Sequence, residues 1–302
     1  MTPRAVVVFG PTASGKSALA LALAERDGGC VINADAAQVY GCWRILTARP
    51  DDSDLAAAPH VLYGHVDCAA RYSTGAWLRD VAAALADVRA RGLRPIVVGG
   101  TGLYLAALTE GLAEIPATPP ELRVRSEALI RAGGLGELRA ELAAGDPETF
   151  ARLDPSNPRR IQRAWEVLVA TGRGLVAWHA ETVTPLLRPE DCVRVALSPD
   201  PSKLNDNITI RFHRMLEDGA IDECRRFLAA GLDRDLPSAR VLGAAPLFAF
   251  LAGETDLATA TGAAVTATRQ FAKRQRTWMR NRFRDWPRLD AAEDPLAAIP
   301  RS

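Results

Sequence analysis

The chain has 302 residues, 48% of them hydrophobic and 24% charged, with a formal net charge of +1. That is enough for one large α/β domain plus a smaller one, each with a proper core. No apolar run approaches the roughly 20 residues that cross a bilayer. Met1-Thr2-Pro3-Arg4 leads straight into an apolar run, so neither a signal peptide nor membrane attachment is expected. The cysteines Cys30, Cys42, Cys68, Cys192 and Cys224 form no Cys-x-x-Cys pair. This argues against a zinc site and fits a reducing cytoplasm, with each cysteine read as a small buried hydrophobe.

In chain order, residues 5–9 (Ala-Val-Val-Val-Phe) read as a buried parallel strand and residues 17–24 as an Ala/Leu-rich helix. Residues 31–33 read as a second strand ending in Ala34-Asp35, and residues 78–91 as an amphipathic helix closed by Gly92. Residues 95–98 read as a third strand ending in Gly99-Gly100-Thr101-Gly102, with a helix from Leu103. This alternation predicts an α/β fold, a P-loop NTPase-like parallel sheet flanked by helices. Past the break at residues 116–120 the pattern is helical and arginine-rich, with helices predicted over 121–132, 135–144 and 158–171. Residues 192–197 read as a strand returning to the sheet, and helices follow over 201–230, 238–251 and 256–285. The expected organisation is a catalytic core from 1–115 and 190–302, with an all-helical insertion domain over 116–189.

Between the first strand and helix lies Gly10-Pro11-Thr12-Ala13-Ser14-Gly15-Lys16-Ser17, a Gly, four residues, then Gly-Lys-Ser. A loop of this kind cradles a di- or triphosphate: its amides and the helix N-terminus point at the anion, and Lys16 adds a full charge. Ser17 is placed to hold magnesium on the same phosphates. Ligands of open parallel sheets sit beyond the carboxyl ends of the strands, which places Asp35 and Thr101 beside the loop. Asp35 reads equally as a magnesium ligand, a general base or a helix N-cap. The strand over 95–98 ends in Gly-Gly-Thr rather than a carboxylate, which disfavours an ATP-dependent kinase. Arg269, Lys273, Arg274, Arg276, Arg280, Arg282, Arg284 and Arg288 stand against the single acid Asp285. In a near-neutral chain this tract predicts a surface that faces a polyanion.

Taken in order, the phosphate loop, Asp35-Ala36-Ala37-Gln38-Val39-Tyr40, Thr47-Ala48-Arg49-Pro50, Gly99-Gly100-Thr101-Gly102-Leu103-Tyr104, the run 157–164 and the run 269–278 resemble the tRNA dimethylallyltransferases, the bacterial-type tRNA isopentenyltransferases. The likeness covers almost the whole chain. It implies that Gly10, Pro11, Thr12, Ala13, Ser14, Gly15, Lys16 and Ser17 hold dimethylallyl diphosphate with Mg2+, not ATP. The acceptor would be the exocyclic amine of the adenosine just 3′ of the anticodon. By the same likeness Asp35 takes the amine proton, Thr101 hydrogen-bonds the diphosphate, and Arg211 neutralises the leaving group. Contacts to the tRNA anticodon stem-loop would come from Asp35, Ala36, Ala37, Gln38, Thr101, Arg123, Arg159, Arg160, Arg163, Arg240, Gln270, Lys273, Arg274, Gln275 and Arg280. Gln38, Gln270 and Gln275 would offer amides to base edges. Trp165 and Trp278 are read as core rather than stacking platforms. His213 is read as a packed or surface residue, and His60 and His65 receive no role. A monomer is expected.

The chain departs from the family pattern at Ala36, where serine is common, at Ala244-Ala245, where an aromatic and a polar or basic residue are usual, and at Leu46, where a glycine is usual. Three rival readings follow. A free-nucleotide prenyltransferase would need neither the insertion nor the basic tract. A small-molecule kinase would want a carboxylate where Gly-Gly-Thr stands. A non-catalytic RNA-binding derivative would not need Asp35 and Thr101.

Overall fold

A computed structural model describes residues 3–181, 183–290 and 294–301. The chain forms two compact units, one from 1–109 with 186–302 and one from 110–185. In the first unit β1 (Ala5–Phe9), α1 (Lys16–Asp27), β2 (Gly29–Asn33), α2 (Asp52–Ala57), β3 (His60–Val61), α3 (Thr74–Ala90), β4 (Arg94–Gly99) and α4 (Gly102–Glu110) alternate. The second unit holds α5 (Pro120–Arg131), α6 (Leu135–Gly145), α7 (Pro147–Arg152), α8 (Pro158–Thr171) and α9 (Leu175–His179). The chain then returns to the first unit with β5 (Cys192–Leu197), α10 (Pro201–Glu217), α11 (Ala220–Ala229), α12 (Ala244–Leu251), α13 (Leu257–Arg282) and β6 (Arg288–Leu289).

The six strands form one parallel sheet in the order β3-β2-β4-β1-β5-β6. Every residue of β1, β2 and β4 is buried, as expected of strands covered on both faces. The period of two divides them between two layers. Val7, Phe9, Ile32 and Val97 pack against Trp77, Val81 and Leu85 of α3 and Leu105 of α4. Val6, Val8, Ile96 and Val98 pack against Leu19 and Leu23 of α1. Register sets Phe9 beside Gly99 and Asn33 beside Val98, so three strands end at one level. A third apolar cluster lies beneath the C-terminal helices, with Trp43 stacked on Phe227. In the second unit Trp165 is fully buried with Leu138, Leu142 and Ile161, and its indole N–H donates to Glu141 at 2.7 Å.

Three expectations change. The helix expected over 201–230 breaks at Gly219, whose φ of 101° is left-handed and costs glycine little. The helix expected over 238–251 becomes a 3-10 turn, Pro237–Arg240, and then α12, because Gly243 turns at φ 87°. A Cβ on Gly243 would lie 2.8 Å from the Phe212 ring. Cys42 and Cys68 are not separate small hydrophobes but form a disulfide. The parallel bridge between Tyr40 and Val66 and the bond from Gly41 N–H to Val66 O set the two segments side by side, a proximity the sequence does not encode locally. Cys30, Cys192 and Cys224 are free and buried, and burial pushes their thiols up, Cys30 to about 11 and Cys224 to about 12. Among the described residues no helix is long and apolar enough to cross a membrane.

Candidate active site

The phosphate loop turns through left-handed Ala13 (φ 62°) and Gly15 (φ 85°) before α1 begins at Lys16. The Ser14 hydroxyl oxygen is buried without a partner, and a Cβ on Gly10 would lie 2.5 Å from it. An orphaned buried hydroxyl in a concave loop at a helix N-terminus is a site that an anion completes. Lys16 is buried, and desolvation lowers its ammonium to about 8; the Asp35 carboxylate opposes that shift and Arg211 adds to it. The cradle is closed by α10. Asn207, Arg211 and Arg214 lie at helical spacing and line a cavity of about 360 Å³ with residues 13–18. The Asn207 amide reaches the Ala13 carbonyl at 3.4 Å. Burial lowers the Arg211 guanidinium, and Asp35 pulls it back up. A side chain that stays cationic in that setting serves anion binding.

Asp35 sits just past β2. Its backbone N–H donates to Asn33 Oδ1 at 2.8 Å, and Asn33 Nδ2 donates to the carbonyls of Asp35 and Leu62 at 3.1 and 3.0 Å. Asp35 Oδ1 accepts from Ala37 N–H at 3.0 Å, closing a turn rather than capping a helix. Oδ2 faces Gly100, 3.4 Å from where a Cβ would stand. Thr101 Oγ1 accepts from Ala36 N–H at 2.9 Å, so its own proton is free to donate elsewhere. The glycines around it are forced by space. A Cβ on Gly99 would meet the Ala34 carbonyl oxygen at 2.0 Å, and one on Gly102 would meet the Trp278 indole at 2.3 Å.

Asp35, Thr101 and Arg211 line one cavity of about 640 Å³, together with Thr12 of the phosphate loop. Its walls are aromatic and apolar, including Tyr40, Tyr72, Tyr104, Phe271 and Trp278. Burial pushes all three phenols up, and among the described lining residues Asp35 carries the only carboxylate. A second cavity of about 720 Å³ holds Lys16, Ser17, Asp35, Arg211 and Arg214. Among the described residues no group of three or more His, Cys, Asp or Glu side chains could hold a metal alone. The donors present, the Ser17 hydroxyl and carboxylate oxygen, fit magnesium, which takes most of its ligands from phosphates and water.

The expected RNA-facing residues divide. Lys273 and Arg274 line a groove of about 580 Å³ on α13 with Thr277, Trp278 and Asn281. Gln270 and Arg280 are exposed on the same helix, outside that groove. Arg240 borders the 640 Å³ cavity while its guanidinium donates to the Asp235 carbonyl at 3.0 Å. Ala36 and Ala37 line that cavity. In the second unit Arg123 is half-buried and Arg159 and Arg160 are exposed in the first turn of α8. Arg163 instead donates inward to Thr118 Oγ1 at 2.7 Å, close to the buried Glu166 carboxylate. Two amides expected at base edges are engaged by the protein. Gln38 Nε2 donates to the carbonyls of Thr47 and Ala48 at 2.9 and 2.8 Å. Gln275 uses its oxygen on Thr12 N–H and its nitrogen on the Gly100 carbonyl. Trp278 packs on the core and also walls the cavity, its buried indole N–H unpartnered.

Sequence reasoning missed Asn33, Arg214 and Glu223. Asn33 left a signal, a polar residue closing an apolar strand. Glu223 left none. It is buried, and its carboxylate accepts the N–H groups of Arg44, Ile45 and Leu46, which fixes the loop that brings Thr47 to the cavity.

The family model described as IPP transferase matches residues 38–282, and one described as isopentenyl transferase matches residues 3–62. Proteins named tRNA dimethylallyltransferase are similar over nearly the whole length. One from Cereibacter sphaeroides is 57% identical over 94% of this chain and 88% of its own, and one from Paracoccus denitrificans is 53% identical over 94% and 93%. Among solved structures, a full-length tRNA isopentenylpyrophosphate transferase from Bacillus halodurans is 31% identical with a TM-score of 0.67, covering 95% of this chain and 89% of that one. A eukaryotic dimethylallyltransferase captured acting on tRNA is 26% identical with a TM-score of 0.84, covering 98% and 77%.

Proposed function

The chain belongs to the IPP transferase family, and from that premise we propose that it moves a dimethylallyl group from dimethylallyl diphosphate to tRNA. The acceptor is the exocyclic amine of the adenosine 3′-adjacent to the anticodon, and diphosphate is released. One observation carries this reading: a carboxylate, a hydroxyl with a free proton and a half-buried guanidinium share one aromatic-walled cavity that opens on a phosphate loop.

The amine nitrogen attacks the allylic carbon, a C–N bond forms, and the C–O bond to the diphosphate breaks with its electron pair going to oxygen. An allylic carbon bears positive charge readily, so the charge that must be stabilised is on the departing diphosphate. Lys16, Arg211 and the loop amides are fixed before reaction, which lowers that barrier without reorganisation. Thr101 donates its hydroxyl proton toward the leaving oxygen, because the Ala36 amide already engages its oxygen lone pair. Asp35 Oδ2 takes the proton from the nitrogen as charge develops there, its other oxygen being held by Ala37. Ser17 would hold magnesium on the diphosphate, and when bound that ion supplies further neutralisation of the leaving group. Single-stranded anticodon loops present splayed bases, which suits an aromatic cavity beside a basic helix. The basic groove of α13 favours an RNA acceptor over a mononucleotide.

The test is prenyl transfer from radiolabelled dimethylallyl diphosphate with magnesium, offering total tRNA and AMP in parallel. Label in tRNA that is lost in Asp35→Asn is the expected result. Label in AMP alone moves the chain to free-nucleotide prenylation, and label in neither rejects the reading.

A further inference from the structure

Gln275 lies in the middle of the basic tract, yet it faces inward and is 4% exposed. Its Oε1 accepts from Thr12 N–H at 2.9 Å and its Nε2 donates to the Gly100 carbonyl at 2.8 Å. One side chain thus bridges the phosphate loop and the turn that carries Thr101, segments almost ninety positions apart in the sequence. The fit is close: a Cβ on Gly100 would lie 2.2 Å from Gln275 Nε2. The same helix shows Arg274 and Trp278 to the acceptor cavity, and Lys273 and Thr277 to the outer groove.

We infer that Gln275 is a positioning residue that couples acceptor RNA seated on α13 to the geometry of the diphosphate cradle and the Thr101 hydroxyl. The inference rests on the function proposed above. The Gly100 carbonyl precedes the Thr101 amide, which itself donates to Ala34 O at 3.3 Å, so a pull on Gly100 reorients the peptide that sets the hydroxyl. Thr12 borders the acceptor cavity and belongs to the phosphate loop. A buried amide with both ends satisfied holds these loops together, and either loop moving alone would strand a polar group. RNA and diphosphate therefore select the same arrangement of α13 and its two partner loops. Such coupling is reciprocal: each ligand tightens the other by the same factor.

The test measures calorimetric affinity for inorganic pyrophosphate with magnesium, alone and with a saturating anticodon stem-loop RNA. The wild-type chain is expected to bind pyrophosphate about tenfold tighter with RNA, within the usual range of linked sites. Gln275→Met, which keeps length and loses both hydrogen bonds, is expected to bring that ratio close to one, the ratio being read at saturating RNA whatever the RNA affinity of the variant. Gln275→Glu is the second variant should the first fail to fold. It keeps the acceptor for Thr12, cannot donate to Gly100, and is expected to lose part of the ratio; its added charge acts in both states and cancels. A wild-type ratio of one with both ligands bound, or a full ratio in the folded variants, overturns the inference alone. A wild-type chain that binds neither ligand overturns the proposed function and the inference with it.

Discussion

The phosphate cradle and the acceptor cavity meet at Thr12 and Arg211 but are built by opposite means. The cradle comes from eight consecutive residues turned through left-handed Ala13 and Gly15, closed by one stripe of α10. The acceptor cavity draws on β-strand ends, the 3-10 turn, α10 and α13, and its polar groups are set by hydrogen bonds between side chains and the backbone of other segments. The turn of the cradle is thus set locally, with Gln275 bracing it at Thr12, whereas the cavity depends on distant supports throughout. Substitutions should separate binding of the anion from transfer to the acceptor.

The largest separation is expected at Asp35→Asn. The amide keeps an oxygen for Ala37 N–H, so the turn survives, but proton removal is lost. We expect turnover to fall by about 10²–10⁴-fold in single-turnover prenylation, with pyrophosphate binding unweakened or slightly tightened because a negative charge near Lys16 has gone. Next is Arg211→Met, which removes a preorganised cation from both regions. Turnover should drop by about 10²–10³-fold, and pyrophosphate binding should weaken as well. An Arg211 variant with intact pyrophosphate affinity would detach this residue from the cradle.

A pH series sharpens the comparison further. Lys16 is charged below about 8 in the free protein, and a bound anion stabilises that charge. Pyrophosphate affinity should be level below that pH and fall above it, by up to about tenfold per unit. Calorimetry above pH 8 in buffers of different ionisation enthalpy should then show proton uptake on binding. Lys16→Arg should flatten the fall, since an arginine stays charged throughout. The smallest effect belongs to Arg214→Gln. This exposed guanidinium at the mouth of the cradle should contribute about two- to fivefold in pyrophosphate affinity, with a shallower salt dependence in the variant.

Much of the fold was legible because its signals are local. Strands β1, β2, β4 and β5 are apolar runs bounded by glycine or polar residues, and α8 is opened by Asn157-Pro158 and closed by left-handed Gly172. The strands β3 and β6, two residues each, carry no period to detect. Asp35 and Thr101 were legible because strand ends of a parallel sheet share one edge. Gln275 was misjudged for the complementary reason: a glutamine among arginines looks like a surface residue until packing turns it inward. Glu223 is 177 positions or more from the amides it holds, and no pattern around it announces them. The Cys42–Cys68 disulfide depends in the same way on two loops set side by side by the isolated bridge between Tyr40 and Val66.

The parallel α/β core, the phosphate loop with Lys16 and Ser17, the two strand-end residues Asp35 and Thr101, the helical insertion and the basic tract could all be read from the order of the residues. Each of these rests on hydrophobic period, backbone conformation or the chemistry of neighbouring residues. Packing alone sorted the polar side chains that line the cavities from those that brace the protein. It turned Gln275 and Arg163 inward, placed Arg214 beside Arg211 at the cradle, and made Trp278 both core and cavity wall. Burial and hydrogen-bond partners belong to the packed chain as a whole, so a side chain's role is fixed only once distant segments meet.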